Sequence, residues 1–527
     1  MRSTFHGLEV AKRGMFTQQS ALYVTGHNIA NANTPGYSRQ RVNFVQTEPY
    51  PAASMNRPQI PGQMGTGVTA GSIERIREHF LDYQYRSEAN KLGYWNTRSD
   101  AIAKMEDIMN EPSEYGLGKV MTQFWESLED LSVNPENEGA RAVVRQRGIA
   151  VAESFNYLYN SLAQIRADLG KQIKTDLLEI NSILKQINDL NDQIKAIEPN
   201  GYLPNDLYDK RDALVDELSK FFNVKVNKIS SGGNSLDIAE GIYEISLVNR
   251  DGSTVNLVTQ DGYSTFSVVP SISGDPTNPD GYISDIQIED ALGVISTVSP
   301  DNLAVGRVRA LIESYGYGPD QDNVKGYYPD MLANLDKMAY SFAAMFNTQH
   351  QNGYGLNNST GLDFFSMTLS GPPTEKGAAA TIKVHSDIMN DLSNIAASSA
   401  TGESGNGYNA LNLTMIKDLQ IVGGTATIPS GDPVTVPITG GTVQMFYEGL
   451  IGKIGVDGQQ AQRMKFNAET LAMSVEKNRQ SISSVSLDEE MTNMIKFQHA
   501  YNAAARNITV IDEMLEKIIN GMGIVGR

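Results

Sequence analysis

Residues 28–40 of the chain read Asn28-Ile29-Ala30-Asn31-Ala32-Asn33-Thr34-Pro35-Gly36-Tyr37-Ser38-Arg39-Gln40. Asn and Gly accept left-handed backbone and Pro cannot continue a helix, so this tract ends the helix that we expect over residues 5 to 31. Clustered Asn side chains also offer uncharged donors and acceptors, which suit closely packed subunits. We therefore predict an interaction surface here, with a plain helix stop and turn as the simpler alternative. The predicted interface residues of the tract are Asn28, Ile29, Asn31, Asn33, Pro35, Gly36 and Tyr37.

Both ends of the chain carry an apolar stripe with heptad spacing. The N-terminal stripe consists of Leu8, Met15, Leu22 and Ile29, which fall seven residues apart. The C-terminal stripe and its flanking aromatic residue consist of Leu487, Met491, Met494, Phe497, Tyr501, Ile508 and Leu515. A lone amphipathic helix leaves such a stripe in water, so each helix needs a partner helix. The pattern is typical of a subunit that is joined to other subunits.

The tract at residues 28–40 closely resembles the N-terminal motif of bacterial flagellar axial proteins, the group of rod, hook and hook-associated proteins. Its continuation, residues 34–40, looks most like the hook-associated protein 1 family, whose members form the first of two layers that join hook to filament. Residues 485–494 and 497–501 resemble the other end of that family. Two internal segments, residues 205–212 and 346–365, support the narrower choice. The resemblance covers about two thirds of the chain but not residues 223–300.

The resemblance implies a non-enzymatic structural subunit of the hook–filament junction. Its terminal helices would pair as a coiled coil and pack against neighbouring copies as an inner tube. The partners that it implies are further copies of the chain, the hook protein, hook-associated protein 3, and a cytosolic export chaperone that docks on the C-terminal helix. It also implies an extracellular location, reached through the flagellar type III apparatus without a cleaved signal.

Composition limits the other functions that the chain could have. It has 527 residues, no Cys and a formal charge of −18. The absence of Cys excludes disulfides and thiolate chemistry. The negative charge argues against nucleic acid and anionic membranes as partners. The N-terminus has no secretory signal pattern and no segment reaches the about 20 apolar residues of a membrane helix, so composition alone would indicate a cytosolic protein.

The fold class expected from periodicity is mainly α with an inserted β domain, in an elongated multi-domain chain. Helical spacing runs over residues 72–110, 117–131, 138–197 and 207–222, and the third of these would be a rod of about 90 Å. Residues 42–71 are rich in Pro and Gly and indicate an extended or looped arm. We expect residues 1–71 and 485–527 to form a terminal coiled-coil domain, and 72–222 with 301–484 to form the helical body. Within that body, residues 353–441 are mixed α/β.

Residues 223–300 change to a period of two. Alternating apolar residues and two Asp-Gly turns, at residues 251–252 and 261–262, predict a small antiparallel β domain that projects from the body. A surface adhesin module in this insertion and a different rod or hook subunit are the two alternatives to a junction protein. We also expect residues 1–60 and 485–527 to be mobile before assembly, because isolated helices are marginal in water.

We find no pattern that predicts catalysis, a cofactor or a metal site. The six His residues have no metal-ligand spacing. The acidic residues are expected on solvated helix faces. Glu489 and Glu490 are explained by a capping box at Ser486 and by the helix dipole.

Overall fold

The computed structural model describes residues 5–57, 61–109, 116–270, 281–320, 323–371 and 373–521, so the first four and last six residues of the predicted terminal domain lie outside it. Its helices are α1 His6–Ala30, α2 His79–Met109, α3 Leu117–Val133, α4 Glu138–Ile197, α5 Asn205–Phe221, α6 Arg307–Tyr315, α7 Tyr327–Gln351, α8 Ala378–Thr381, α9 Ser386–Asn390, α10 Tyr408–Met415, α11 Val443–Ser483 and α12 Leu487–Glu516.

The strands are β1 Gln40–Gln46, β2 Val68–Arg75, β3 Val224–Ile229, β4 Ile242–Val248, β5 Thr254–Thr259, β6 Gly262–Tyr263, β7 Thr265–Pro270, β8 Ile283–Glu289, β9 Ile295–Val298, β10 Phe365–Ser366, β11 Lys383–Val384, β12 Ile421–Val422, β13 Thr425–Thr427, β14 Pro433–Thr435 and β15 Gly440–Gly441. They form sheets of two to four strands, in the orders β1-β2, β3-β4-β5-β6, β7-β8-β9, β10-β11 and β14-β13-β12-β15. All these pairings are antiparallel. The expectation of a mainly α chain with inserted β structure is confirmed.

Helix α4 is the longest element and spans the 60 residues that the periodicity predicts. The side chain of Asn137 caps its start by accepting a hydrogen bond from the backbone N–H of Ala140. Its end passes into a short 3₁₀ turn that closes at Gly201 in left-handed backbone. At about 1.5 Å per residue the helix is about 90 Å long, so it runs the length of the body. Helices α3, α5, α6 and α7 all pack against it.

The β insertion lies along α4, and the prediction that it projects is wrong. Two Asn side chains of α4 each form two hydrogen bonds with the backbone of one strand residue. Asn181 donates to the carbonyl of Phe266 and accepts from its N–H. Asn191 does the same with Tyr243. Phe266 also stacks on Phe222 with ring centroids 4.9 Å apart. Strand β4 is buried almost throughout, and its face with Tyr243, Ile245 and Leu247 is entirely apolar or aromatic. The insertion therefore shares the core of the helical body.

The two ends of the proline-rich arm are strands that pair as a hairpin. Strands β1 and β2 pair from Gln46 with Val68 to Gln40 with Arg75. Helix α2 consequently begins at His79, later than the predicted residue 72, because the pairing extends the strand through Arg75. The hairpin lies on α1, where the hydroxyl of Thr17 donates to the carbonyl of Val68.

An aromatic cluster fills the end of the body away from the chain termini. Its members are Phe124, Trp125, Phe155, Phe342, Phe346, Phe364 and Phe365. A Cβ atom at Gly148 on α4 would come within 2.7 Å of the Phe364 ring, so only glycine lets the two approach. The two ends of the family-like segment at residues 346–365 meet in this core, where Phe346 contacts Phe364.

The side chain of His350, on α7, is a neutral imidazole that forms hydrogen bonds with two loops. Its Nε2 accepts from the backbone N–H of Ala396 at 2.9 Å, so its Nδ1 carries the proton and donates to the carbonyl of Leu362 at 2.7 Å. Burial lowers the pKa of His350 to about 4. An unfolded His takes up a proton near pH 6.5. The free energy of unfolding therefore falls as the pH drops below about 6.5, and the loss is complete near pH 4.

Replacing His350 by Asn removes this pH dependence. We expect His350→Asn to be less stable than the wild type at pH 7.5, because the N–H of Ala396 loses its acceptor. At pH 5 the difference in free energy of unfolding between wild type and variant should be smaller by about 2 kcal/mol than at pH 7.5. The reason is that only the wild type loses stability when His350 becomes protonated in the unfolded chain. Urea unfolding followed by tryptophan fluorescence measures both values. His499→Asn, on the exposed face of α12, is the control. A difference that is equal at both pH values would contradict the assignment.

Candidate assembly interface at the chain ends

The two terminal helices lie side by side and run antiparallel. Gly7, near the start of α1, lies against Ile511, near the end of α12. Asn28, near the end of α1, donates to the carboxylate of Glu490 in the first turn of α12 at 3.0 Å. The β1-β2 hairpin covers another side of α1, and Phe44 on β1 meets Phe497 edge to face. The terminal elements thus form one small bundle.

This bundle leaves the predicted stripe residues only partly covered. On α1, Leu8, Met15, Leu22 and Ile29 are all half-buried. On α12, Met494, Phe497, Tyr501 and Ile508 are half-buried and only Leu515 is buried. Leu487 is 47% exposed and Met491 is 57% exposed. A single chain therefore supplies part of the apolar contact that these helices can make.

Further apolar side chains on the terminal helices face outward, and the heptad pattern missed them. They are Phe16 and Tyr23 on α1, and Ile495, Val510 and Met514 on α12, with Ile518 in the helical turn that follows. Met514 is 59% exposed and Ile495 is 55% exposed. For Val510, Met514 and Ile518 the available signal was their spacing of four residues, because a helix that contacts more than one neighbour has a wider apolar stripe than a heptad seam.

Asn28 is the hydrogen-bonding centre of the bundle. Its Nδ2 donates to the Gln40 carbonyl at 2.8 Å and to Glu490, while its Oδ1 accepts from the Gln40 N–H at 3.0 Å and from the Tyr37 hydroxyl at 2.8 Å. All four hydrogen-bonding positions of the amide are used. Burial, with Asp206, Asp209 and Glu490 nearby, raises the pKa of Tyr37 above its usual range, so the hydroxyl stays a donor.

The rest of the Asn-rich tract forms a turn with an exposed ridge. Asn31 donates to the carbonyl of His27 and accepts from the hydroxyl of Thr34, which closes the end of α1. Gly36 has a φ of 80°, a left-handed conformation that favours glycine. Asn33, Pro35 and Gly36 are exposed. Within the chain, Asn28 and Asn31 stabilise the bundle and the turn through hydrogen bonds. The exposed ridge of Asn33, Pro35 and Gly36 is accessible to another protein.

Arg39 and Glu490 join the hairpin to α12, a contact that the sequence analysis missed. Arg39 donates from Nε to Glu490 at 2.8 Å and from Nη1 to Glu489 at 2.6 Å. Glu490 is only 2% exposed. The explanation of Glu490 by capping and dipole alone was wrong, because the carboxylate is buried against Asn28 and Arg39. The capping box is also absent, since Ser486 makes no side-chain capping bond.

Beneath the bundle, a buried ionic cluster connects α5 to β2, α2 and α11. Asp209, Asp212 and Asp216 on α5 face four guanidinium groups, those of Arg75 on β2, Arg77 after it, Arg86 on α2 and Arg479 on α11. These acidic residues were expected on a solvated face, and that expectation was wrong. Their spacing of three and four residues places them on one buried side of α5.

Asp212 is at the centre of the ionic cluster. Its carboxylate lies 3.0 Å from Arg75 Nη1, 3.3 Å from Arg77 Nη1 and 3.2 Å from Arg86 Nη2. Burial alone would raise its pKa, but Arg77, Arg75, Arg86 and Arg211 together outweigh burial and hold the pKa of Asp212 well below its usual range. The carboxylate is therefore ionised at any physiological pH.

The contacts in and around the ionic cluster account for polar residues of the family-like segment at residues 205–212. Asn205 donates to the carbonyl of Ile73 on β2 at 2.9 Å. Asp209 accepts from the backbone N–H of Ser38 at 3.0 Å. The segment therefore fixes the root of the hairpin and the end of the Asn-rich tract to α5. Through it, the orientation of the terminal bundle on the body is set.

Two negative findings apply to the described residues. They contain no group of three or more His, Asp or Glu side chains that could hold a metal ion. None of their helices combines the length and apolar character needed to cross a membrane.

Three family profiles match the chain. The profile "Flagellar hook-associated protein FlgK helical domain" matches residues 102–365. The profiles "Flagella basal body rod protein" and "Flagellar basal body rod FlgEFG protein C-terminal" match residues 8–37 and 477–521. The two rod profiles thus fall on α1 with the Asn-rich tract and on the end of α11 with α12.

Individual relatives agree with the profiles. The chain is 44% identical to flagellar hook-associated protein 1 of Bacillus subtilis over 527 residues, which is 100% of both chains. It is 30% identical to flagellar hook-associated protein 1 of Salmonella typhimurium over 363 residues, 68% of this chain and 58% of that relative. The flagellar hook junction protein FlgK from Burkholderia pseudomallei has a similar fold, with a TM-score of 0.58 and 15% identity over 78% of this chain and 100% of that one.

Proposed function

The chain belongs to the flagellar hook-associated protein 1 family and is a structural subunit of the bacterial flagellum at the hook–filament junction; on that premise we propose that it assembles through its terminal bundle. In this proposal residues 1–71 with 485–527 are the assembly unit. Residues 72–222 with 301–484 form the body, and the insertion at 223–300 lies on the body. Alternative functions as a rod or hook subunit are disfavoured by the match over the full chain.

One observation carries the proposal. Helices α1 and α12 are already paired with each other, yet Met491, Ile495 and Met514 remain more than half exposed. Exposed apolar side chains in a row on one element mark a surface that another protein covers. We propose that α1 and α12 form a coiled-coil seam through their half-buried residues. The outer residues then pack against the same helices of neighbouring copies.

The remaining partners follow from the same position in the flagellum. We propose that copies of the chain contact the hook protein on one side of the layer and hook-associated protein 3 on the other. The exposed face of α12 is the docking site that we propose for a cytosolic export chaperone, because it offers an amphipathic helix to a groove. The chain would leave the cell without a cleaved signal and function outside it. No catalytic role forms part of this proposal.

The test is a swimming and electron-microscopy assay in a bacterium that lacks its own copy of this protein. The wild-type chain should restore filaments, whereas Ile495→Asp combined with Met514→Asp should leave hooks without filaments and flagellin in the medium. We expect a loss of roughly tenfold or more in filament-bearing hooks, because a charge in a buried contact costs several kcal/mol.

The matched control is Gln498→Asp combined with Asn502→Asp, two exposed polar positions on the same helix. This control adds the same charge and should support filaments at the wild-type level. The proposal fails if the Ile495 and Met514 double variant swims as well as this control, or if the strain without the protein still attaches filaments.

A further inference from the structure

The proline-rich arm continues beyond strands β1 and β2 and ends in an exposed tip. Past the strands, Tyr50 and Met64 exchange two backbone hydrogen bonds, at 2.9 and 2.7 Å. The side chain of Gln63 donates to the carbonyl of Pro51, which is buried. Residues 52–57 follow Pro51 directly, are all exposed and form the arm tip. A fixed base thus holds the tip in place, which lowers the entropy cost of binding.

Two side chains of the arm tip are available to another molecule. Met55 is 103% exposed, so no described residue covers it. Arg57 is also exposed, and it makes no hydrogen bond or ion pair with the described residues. Covering an apolar side chain is favourable in proportion to the area that leaves water. The flexible thioether of Met also adapts to irregular surfaces, so the tip offers one apolar and one cationic contact.

The arm tip lies at the end of the terminal bundle where α1 begins. Val68 on β2 contacts Thr17, whereas Gly65, nearer the tip, contacts His6 in the first turn of α1. The arm therefore runs along α1 toward the start of that helix. At about 1.5 Å per residue, His27 in the last turn of α1 is about 32 Å from His6. A surface beside His27 is thus at the opposite end of the bundle from the tip.

That opposite end carries a cleft of about 600 Å³, the turn cleft, between the Asn-rich turn, α4 and α5. His27 is part of its lining. The apolar part of the lining includes Pro35, Leu190 and Leu214. Pockets that hold small ligands measure about 300–1,000 Å³. The turn cleft therefore has room for a large apolar side chain together with its neighbours.

The charges of the turn cleft are mixed, with carboxylates in excess. Three charged side chains of the lining make no hydrogen bond or ion pair with the described residues, namely Asp189, Glu217 and Lys210. The other two carboxylates, those of Asp206 and Asp209, have partners within the chain. The free charges are thus two negative and one positive. An apolar segment with one cation matches this cleft better than an anionic segment does.

We propose that the arm tip of one copy docks in the turn cleft of a second copy, with Met55 on the apolar lining and Arg57 beside the free carboxylates. The tip cannot enter the cleft of its own chain, because the two lie at opposite ends of α1 and the base of the arm is fixed. Each copy therefore uses its tip on one neighbour and its cleft on another. Such a heterologous contact continues from subunit to subunit around a ring or along a helix. This docking rests on the proposed function, because it requires copies that assemble through their terminal bundles.

Substitution of Met55 tests the docking in the strain without its own copy of the protein. Met55→Asp places a carboxylate in an apolar contact that already holds free carboxylates, so filament-bearing hooks should fall roughly tenfold. Met55→Leu keeps an apolar side chain of similar size and should stay within about twofold of the wild type. Because Met55 is fully exposed, both variants should unfold at the same urea concentration as the wild type. The matched control is Met389→Asp, at an exposed Met on α9 in the body, which should leave filaments unchanged.

Cross-linking identifies what the arm tip contacts. The chain has no Cys, so Met55→Cys in the tip and Gln193→Cys in the turn cleft introduce the only thiols. Their separation of about 32 Å along α1 is too large for a bond within one chain. Mild oxidation of isolated hook–filament structures should join successive chains into dimers, trimers and larger products. Each single variant should stay monomeric, as should Met55→Cys with Thr175→Cys, an exposed position on α4 about 27 Å from Gln193.

Three results would overturn the docking. The first is a Met55→Asp chain that supports normal filaments. The second is a double variant of Met55 and Gln193 that gives no cross-linked product, because the arm tip then contacts a different protein or none. The third is a double variant that gives dimers only, because the contact then closes between two copies instead of continuing. Filaments in the strain without the chain would instead overturn the proposed function.

Discussion

Replacing Asp212 by Asn destabilises the body by about 3–5 kcal/mol, because it removes the charge that three surrounding guanidinium groups share. Asp212 is 2% exposed and lies within 3.3 Å of Arg75, Arg77 and Arg86. Asn keeps the shape but leaves those cations buried with less negative charge. Urea unfolding at pH 7 measures the loss.

The pH dependence of this loss has a defined sign. The pKa of Asp212 is depressed in the folded chain, so the carboxylate stabilises the fold above its unfolded pKa of about 4. That stabilisation is lost as the pH falls further. The wild type should therefore keep its advantage over Asp212→Asn at pH 5 and lose part of it below pH 4.

The control for the Asp212 variant is Asp189→Asn, which removes one charge from the exposed side of α4. It should change the free energy of unfolding by no more than about 0.5 kcal/mol. A change at Asp212 as small as the change at Asp189 would mean that the ionic cluster contributes little to stability.

Local sequence signals predicted the helical body well. The bounds of α4 follow from an apolar period that continues without interruption and from Pro199, which stops it. Helix α12 begins at Leu487, directly after Ser486, where the sequence predicted a helix start. The β1-β2 hairpin was missed because residues 47–67 separate its strands in the sequence, and neither strand is recognisable without its partner. The β insertion was recognised by its alternation of apolar and polar residues. Its position against α4 depends on Asn181 and Asn191, which the sequence pattern predicts as ordinary surface residues of a helix.

The site was less predictable than the fold, for a physical reason. The hydrogen bonds of Asn28 join residues 12 and 462 positions apart, so no local pattern contains them. In the ionic cluster, a buried face of α5 carries charged residues where apolar ones are normal. Sequence periodicity predicts that such a face is exposed to solvent, because it detects where polar residues recur and not whether oppositely charged residues elsewhere in the chain pair with them. The apolar stripes on α1 and α12 were visible because they are local.

Replacing Glu490 by Ala should lower the free energy of opening the root of the terminal bundle by about 2–3 kcal/mol. The root is the place where Asn28, Gln40 and Glu490 meet. The carboxylate accepts from Asn28 and from Arg39, and its loss leaves a buried amide and a guanidinium short of partners. The tips of α1 and α12 are already partly exposed in the free chain, and we expect mild proteolysis to trim them. In the wild type, trimming should stop at the root, so it should remove less than the residues 1–60 and 485–527 that the sequence predicted to be mobile.

In Glu490→Ala, cleavage should extend into residues 31–46 and 484–490, while the body stays intact. Amide hydrogen exchange of the Gln40 N–H should become roughly 30 to 150 times faster, which corresponds to the loss of about 2–3 kcal/mol. Glu490→Gln should fall between the wild type and Ala, because its amide oxygen still accepts hydrogen bonds. Glu489→Ala is the matched control, since Glu489 is 61% exposed and its pair with Arg39 contributes little. Equal exchange in the Glu489 and Glu490 variants would show that burial of Glu490 is not what closes the root.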